Sequence, residues 1–222
     1  MKMEKWEIPN LEPLRQTSNE CELSKSVRKI YLFDLDSTIT KEELLPRIAK
    51  INDTYELLRE TTLAAMRSNI NFEESFRKRV EILSDIPLEL VQETVRTVPL
   101  LEKLIDWIKS HKKSTFVVTG NLDIWVNSLL EHHSINSYTS VATIRNSRVE
   151  VEEVLKKEKV IEDFKDDFVI FVGDGSNDVS LMSVTNVGIL TEIVHESPSH
   201  LWEVADYAVK DEETLCTLLA RL

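Results

Sequence analysis

Three short apolar segments, each ending in acidic, hydroxyl or glycine residues, constrain the fold of this chain more than any other feature. Continuous apolar runs are typical of strands buried on both faces of a parallel sheet. The sequence predicts such strands near 29–34, 114–119 and 168–173. Helices are predicted around them at 99–111, 122–132, 153–164, 177–184, 198–204 and 211–222, with a hairpin over 138–151. Strands that alternate with helices predict an α/β fold with a parallel sheet.

The first apolar segment runs from Tyr31 into Asp34-Leu-Asp36. Alternate residues of a strand share a face, so Asp34 and the backbone carbonyl of Asp36 are predicted to reach one hard cation where the strand ends. Asp34 is then placed as a nucleophile and Asp36 as an acid and base, while the backbone amides of Ser37 and Thr38 face phosphate oxygens. A second interpretation is an ordinary turn and helix cap, because short polar side chains commonly satisfy loop amides.

The segment at 168–178 ends in Gly-Asp-Gly-Ser-Asn-Asp. Gly173 and Gly175 permit a tight turn with close backbone approach, and Asp174 and Asp178 add two carboxylates at the same sheet edge. Like charges gathered in this way are costly unless they are protonated or bound to a cation. The sequence therefore predicts a divalent metal, and oxygen-only ligands beside phosphate favour Mg²⁺.

Two further residue types complete a candidate site for phosphoryl transfer. Thr119 ends the middle segment and is a candidate donor to a phosphoryl oxygen, although Val-Thr-Gly also closes many ordinary strands. Lys156, Lys157 and Lys159 stand near a predicted helix start, where lysines usually form a solvated face. Phosphoryl transfer needs a fixed cation to hold an anionic nucleophile and a phosphate together, so one of the three lysines is a candidate for that role.

The order of these motifs resembles that of the haloacid dehalogenase-like superfamily, and most of all that of its phosphoserine phosphatases. The matching motifs are Asp34-x-Asp36-Ser-Thr, Thr119-Gly, Lys157 and Gly173-Asp174-Gly-x-Asn-Asp178. The resemblance implies a Rossmann-like parallel-sheet core with a small helical cap inserted after the first strand, a Mg²⁺ cofactor and an aspartyl-phosphate intermediate. The implied catalytic residues are Asp34, Asp36, Thr119 and Lys157. The implied metal ligands are Asp34, Asp36, Asp174 and Asp178.

Residues 41–112 have the pattern of successive amphipathic helices without strand-like alternation, which fits an inserted helical cap. We therefore expect an N-terminal extension at 1–27, an α/β phosphatase core at 28–40 and 113–222, and a helical cap with its connecting helix at 41–112.

The resemblance also implies a binding site for a small amino-acid phosphate. Glu43 would bind the substrate amine and Arg79 its carboxylate, although helical periodicity alone places Arg79 on a charged outer face. The implied substrate-binding residues are Glu43, Met66, Phe72, Arg79, Gly120, Asn121 and Asn177.

One departure from the family pattern concerns the substrate. Asn121 replaces the second of two glycines that usually follow the motif threonine, and it adds an amide where the leaving group would lie. The predicted activity is therefore phosphomonoester hydrolysis of phosphoserine or a similar amino-acid phosphate, with three other interpretations. These are a phosphatase of another small phosphate (a sugar acid, an aminoalcohol or a biosynthetic intermediate), a phosphotransferase or phosphomutase, and a non-catalytic phosphate-binding module.

Net charge and apolar pattern limit the classes of partner that the chain is expected to bind. The net charge of −12 argues against nucleic acid, because an acidic surface repels polyanions. The absence of an apolar signal core at the N-terminus and of any 18-residue apolar run predicts a cytoplasmic protein without membrane contact. The expected partner is a small phosphorylated metabolite, and the chain is expected to be a monomer or a homodimer. The five histidines lie outside the motifs and are expected at the surface.

Overall fold

The computed structural model describes residues 27–67 and 71–222, without the side chains of Met66 and Arg67. The N-terminal extension predicted at 1–27 therefore lies outside the described residues except for its last residue. The pocket role predicted for Met66 also lies outside them. No helix within the two described ranges is long and apolar enough to cross a membrane.

The described residues form one seven-stranded sheet. Its strands are β1 Lys29–Phe33, β2 Thr115–Leu122, β3 Asn136–Arg145, β4 Arg148–Glu153, β5 Phe168–Gly173, β6 Val187–Thr191 and β7 Tyr207–Val209. The spatial order is β4-β3-β2-β1-β5-β6-β7, and neighbours are parallel except for the antiparallel pair β3 and β4. Because parallel strands end at one edge, the ends of β1, β2 and β5 bring the three predicted motifs together. The predicted α/β fold is confirmed.

Helices surround the sheet and also make up the insertion after β1. In the described residues they are α1 Leu44–Ala49, α2 Tyr55–Arg67, α3 Phe72–Leu83, α4 Leu88–Arg96, α5 Glu102–Ser110, α6 Asp123–His132, α7 Val179–Met182 and α8 Glu212–Arg221. Short 3₁₀ helices cover Lys157–Phe164, Ser176–Asp178 and Ser199–Glu203. We refer to α1–α4 as the cap.

Several predicted boundaries were wrong, each for an identifiable physical reason. The helix predicted at 99–111 begins at Glu102, because the preceding residues pair with the chain entering the cap through the Leu101 amide and the Ile39 carbonyl (2.9 Å). The helix predicted at 153–164 is a 3₁₀ helix from Lys157 to Phe164. Lys157 and Val160 are both buried there, three residues apart. A spacing of three fits one turn of either a 3₁₀ helix or an α-helix, so the sequence pattern does not distinguish the two.

Three further elements differ from the prediction in their type or in their length. The helix predicted at 198–204 is a 3₁₀ helix over Ser199–Glu203, and the one predicted at 177–184 is divided into a 3₁₀ turn and α7. β2 continues beyond the predicted end at 119 to Leu122, through a register shift against β3. Irregular pairing of this kind is common beside active sites, because it changes where side chains point.

The cap is attached by two adjacent chain segments and shares its apolar interior with the sheet. Thr40 and Leu100 form an antiparallel bridge at the attachment, and the Lys41 amide donates to the Pro99 carbonyl (2.8 Å). One continuous cluster of buried apolar side chains extends from β1 and β2 through α6 to α4, α1 and α3. The cap is therefore packed onto the core rather than suspended from it.

Candidate active site

Asp34 stands immediately after β1, where the chain leaves the sheet. Its amide donates to the Val172 carbonyl of β5 (2.9 Å), and the residue is buried. Ser37 then adopts a left-handed backbone (φ 53°), a conformation uncommon outside glycine. The Ser37 amide donates to the Thr40 hydroxyl oxygen (3.1 Å), so the prediction that it faces phosphate was wrong.

Lys157 is buried between two aspartates. Its Nζ lies 2.7 Å from Asp34 Oδ1 and 2.6 Å from Asp178 Oδ1, and only 3% of the lysine side chain is exposed. Burial lowers the pKa of Lys157, but the two carboxylates raise it by more, so the ammonium stays charged. Lys156 and Lys159 are exposed, so the position predicted for the motif lysine is the one that reaches the acids.

Asp178 also organises the loop after β5. Its Oδ2 accepts hydrogen bonds from the amides of Asp174 and Gly175, both at 3.0 Å. The same oxygen would lie 2.5 Å from a Cβ at position 173, which explains why Gly173 is required there. Burial raises the pKa of Asp178, while the contact with Lys157 opposes the rise.

Three buried carboxylates form a cluster that could hold a metal ion. Asp34, Asp174 and Asp178 each offer one oxygen, and these atoms lie within 4.8 Å of one another. Burial and the other carboxylates raise the pKa of Asp34 well above its ordinary value, against the opposing effect of Lys157. Buried oxygen donors that repel one another suit a hard divalent cation. The Thr38 hydroxyl supports the cluster by donating to Asp174 Oδ1 (2.9 Å).

Asp36 occupies a different position, between the cap and the end of β2. Its Oδ1 accepts from the Leu44 amide (2.8 Å), and its Oδ2 accepts from the Asn121 side-chain amide. Burial, followed by repulsion from the Glu43 carboxylate, raises the pKa of Asp36 to about 7, although the two hydrogen bonds oppose this rise. A carboxyl group with such a pKa can both release and accept a proton near neutral pH.

Thr119 lies within β2 and is buried. Its hydroxyl oxygen accepts from the backbone amide of Asn121 (3.1 Å), and the side-chain amide of Asn121 lies 3.4 Å away. Because these contacts use the oxygen as an acceptor, the hydroxyl hydrogen remains available to donate to a bound phosphoryl group.

A cavity of about 370 Å³ joins the sheet edge to the cap. The predicted site residues that line it are Asp34, Asp36, Glu43, Phe72, Arg79, Thr119, Gly120, Asn121, Asp174 and Asn177. Gly120 is needed for space, since a Cβ there would lie 2.8 Å from the Phe72 ring. The structure thus gathers ten of the predicted residues, from both core and cap, around one cavity, while Lys157 and Asp178 lie beside Asp34 without lining the cavity.

Arg79 and Glu43 place opposite charges on the cap side of this cavity. The Arg79 guanidinium carbon lies 6.0 Å from the ring centroids of Phe72 and Phe76. Among the described residues, Arg79 has no carboxylate within salt-bridge distance. Burial lowers the pKa of Arg79 and raises that of Glu43. Arg79 therefore lines the cavity, where the resemblance places it, and not the outer face that helical periodicity alone indicates, and it has no acidic partner in the part of the chain described.

His195 is exposed, as expected, but sequence reasoning missed its contact with the acid cluster. Its Nε2 lies 2.9 Å from Asp174 Oδ2 and 4.0 Å from Glu43 Oε1, and its Nδ1 is 3.0 Å from the Glu196 carbonyl. The hydrogen bond with Asp174 raises the pKa of His195 to about 9, against the effect of burial. No motif in the sequence marks this residue, because the contact arises only where β6 pairs with β5 and the chain after β6 reaches the same sheet edge.

Comparison with known proteins agrees with this site. The sequence profile of haloacid dehalogenase-like hydrolases matches residues 28–183, and the chain belongs to this family. It is 30% identical over 178 residues to a phosphoserine phosphatase of Methanocaldococcus jannaschii, and the aligned region covers 73% of this chain and 84% of that protein. It is 25% identical over 205 residues to a phosphoserine phosphatase of Archaeoglobus fulgidus, covering 83% of this chain and 57% of that longer protein.

Solved structures give the same result. A substrate-bound phosphoserine phosphatase complex superposes with a TM-score of 0.72 at 26% identity, over 89% of this chain and 100% of that chain. A phospho-aspartyl intermediate analogue of phosphoserine phosphatase superposes with a TM-score of 0.71, also at 26% identity. The predictions of the haloacid dehalogenase-like family and of a phosphoric monoester hydrolase are confirmed.

Proposed function

We propose that this chain is a Mg²⁺-dependent phosphatase that hydrolyses phosphoserine, or a close amino-acid phosphate, through an aspartyl phosphate on Asp34. The observation that carries the proposal is a single cavity with reacting groups on one side and Glu43 and Arg79 on the other. The carboxylate of Glu43 and the guanidinium of Arg79 complement the amine and the carboxylate of an amino acid.

Asp34 is suited to act as the nucleophile. Its Oδ1 is held by Lys157, which leaves Oδ2 for in-line attack on phosphorus. Asp36 protonates the departing alcohol oxygen and later removes a proton from the water that hydrolyses the aspartyl phosphate. Thr119 donates its hydroxyl hydrogen to a phosphoryl oxygen, and Lys157 balances negative charge during transfer. A solved relative described as a phospho-aspartyl intermediate analogue supports this covalent route.

The residues present fit a Mg²⁺ ion. When bound, Mg²⁺ would neutralise charge on the phosphoryl oxygens, as oxygen-ligated divalent ions do in phosphoryl transfer. Asp34, Asp174 and Asp178 would hold it with the backbone carbonyl of Asp36. Lys157 balances one negative charge in the three-carboxylate cluster, so a divalent cation is the complementary partner.

The cap residues support an amino-acid leaving group. Glu43 would receive the substrate ammonium and Arg79 its carboxylate, with the Phe72 ring closing the cavity beside Gly120. A volume of about 370 Å³ suits a small metabolite. The relatives named phosphoserine phosphatase agree with this choice. A cytoplasmic location and a monomeric or homodimeric state remain predictions from the sequence.

A phosphate-release screen tests the proposal. Phosphoserine should be turned over faster than phosphoethanolamine, which lacks the carboxylate, and faster than 3-phosphoglycerate, which lacks the amine. Asp34→Asn should abolish release, and EDTA should abolish it reversibly, with recovery on adding excess Mg²⁺. Full turnover in EDTA would contradict the metal requirement. Faster release from either truncated substrate would contradict the amino-acid specificity and leave the phosphatase activity in place.

A further inference from the structure

Asn121 connects Asp36, the proposed acid, to Thr119, the proposed hydrogen-bond donor to the phosphoryl group. It is buried at the end of β2, with 2% of its surface exposed. Its side-chain amide donates to Asp36 Oδ2, and its backbone amide donates to the Thr119 hydroxyl oxygen at 3.1 Å. A glycine, which the sequence resemblance leads one to expect here, would keep the backbone contact and lose the contact with Asp36.

The chemistry of its neighbours fixes the orientation of the Asn121 amide. When Asp36 is ionised, the reversed orientation would place the carbonyl oxygen of Asn121 against its carboxylate, where two acceptors repel. With Nδ2 directed at Asp36, the oxygen Oδ1 is buried without a hydrogen-bond partner among the described residues. The side-chain hydrogen bonds of Asn121 are therefore concentrated on Asp36 and Thr119.

The contact restricts where the Asp36 proton can reside. A carboxylate offers roughly four lone-pair positions. The Leu44 amide occupies one on Oδ1, and Asn121 occupies one on Oδ2. The acidic proton must use a remaining position, and Asp36 lines the cavity where the leaving oxygen would lie. Without Asn121, the broad terminal torsion of an aspartate would allow the carboxyl group to turn.

We propose that Asn121 is a positioning residue that holds the Asp36 carboxyl group so that its proton faces the leaving-group oxygen. The inference rests on the proposed role of Asp36 as the acid. Asn121 then contributes most where the leaving group needs a proton, and little where the leaving group departs as a stable anion. A structural role in β2 would instead affect all substrates equally.

The test compares two leaving groups in Asn121→Ala, Asp36→Asn and the double variant. Phosphoserine, or glycerol 2-phosphate if phosphoserine is not turned over, provides an alkyl leaving group, and p-nitrophenyl phosphate provides one that needs no acid. Positioned acids typically contribute about 10²–10⁴-fold to rate. We expect Asn121→Ala to lower kcat/KM about 10–100-fold on the alkyl phosphate and less than about threefold on p-nitrophenyl phosphate. The ratio kcat/KM reports the steps up to departure of the leaving group, where only the alkyl phosphate needs the acid, and excludes the later hydrolysis of the aspartyl phosphate that both substrates share. On the alkyl phosphate Asn121→Ala should add nothing to Asp36→Asn.

One control variant and one replacement variant keep the outcomes distinct. Asn136→Ala, an exposed asparagine at the start of β3, should retain full activity on both substrates. If Asn121→Ala does not fold, Asn121→Gly replaces it. Equal losses on the two substrates, or a loss that adds fully to that of Asp36→Asn, would overturn the inference while the phosphatase proposal stands. Wild-type protein that releases phosphate from neither substrate would overturn both.

Discussion

Replacing Lys157 by methionine should destabilise the fold as well as abolish turnover. The substitution keeps an unbranched side chain but removes the ammonium that lies 2.7 Å from Asp34 and 2.6 Å from Asp178. Removing one partner of a buried ion pair costs about 3–5 kcal/mol, because the other charge remains buried and unpaired. For a chain of this size, each kcal/mol lowers Tm by about 2–4 °C. The expected fall is therefore about 6–20 °C.

Mg²⁺ and pH should both change the size of this loss of stability. Saturating Mg²⁺ should recover part of the loss, because the added cation compensates the same carboxylates. The deficit should deepen as pH rises through the folded-state pKa values of Asp34 and Asp178, which burial raises above the ordinary carboxyl value of about 4. The Lys157 ammonium lowers both pKa values, so without it the folded variant holds these protons to higher pH than the wild type does, while the unfolded chains titrate alike.

The assay is thermal unfolding in EDTA at neutral pH, followed by circular dichroism, with phosphate release measured in parallel. Lys156→Met and Lys159→Met are matched controls, because both lysines are exposed in the same segment. Each control should remain within about 0.5 kcal/mol of the wild type and keep its activity. A Lys157→Met protein as stable as Lys156→Met would refute the reasoning about buried charge. Loss of activity at Lys159 instead would show that the wrong lysine was assigned.

Three shorter predictions concern the cavity and its supports. Arg79→Met should raise KM for phosphoserine about 10–100-fold while changing p-nitrophenyl phosphate hydrolysis little, with Arg77→Met as control; parallel changes would mean that Arg79 is structural. Gly120→Ala should lower kcat/KM about tenfold because its Cβ would lie 2.8 Å from the Phe72 ring, and Phe72→Leu in the same chain should restore activity unless the collision lies elsewhere. Thr38→Val should weaken Mg²⁺ binding about tenfold by calorimetry, and unchanged affinity would count against its support of the acid cluster.

The sheet and the motif acids could be predicted because both depend on local patterns. Continuous apolar runs define buried parallel strands, and strand ends in such a sheet meet at one edge, so the meeting of Asp34 with Asp174 and Asp178 follows from topology. The choice of Lys157 over its neighbours came from family resemblance. Periodicity could not supply it, since three nearby lysines differ in burial only after the segment has folded into a 3₁₀ helix.

The contacts that could not be predicted depend on which atoms meet across the fold. The direction of the Asn121 amide depends on Asp36, which is distant in sequence and reaches it only through the extension of β2. The Ser37 amide was assigned to phosphate because the sequence does not show that the Thr40 hydroxyl captures it. His195 belongs to no motif, and its contact with Asp174 exists only because β6 lies beside β5.

The apolar cluster shared by cap and core bears on how the molecule loses its structure. Phe33 of β1, Trp125 of α6, Val91 of α4 and Phe76 of α3 belong to one buried cluster. Separating the cap would expose part of the interior that also stabilises the sheet, so we expect cap and core to melt in one cooperative transition. Tryptophan fluorescence, to which the buried Trp125 contributes, and far-ultraviolet circular dichroism should then give coincident curves, and calorimetric and van't Hoff enthalpies should agree. Any motion that admits substrate must accordingly be confined to parts of the cap that leave this cluster intact.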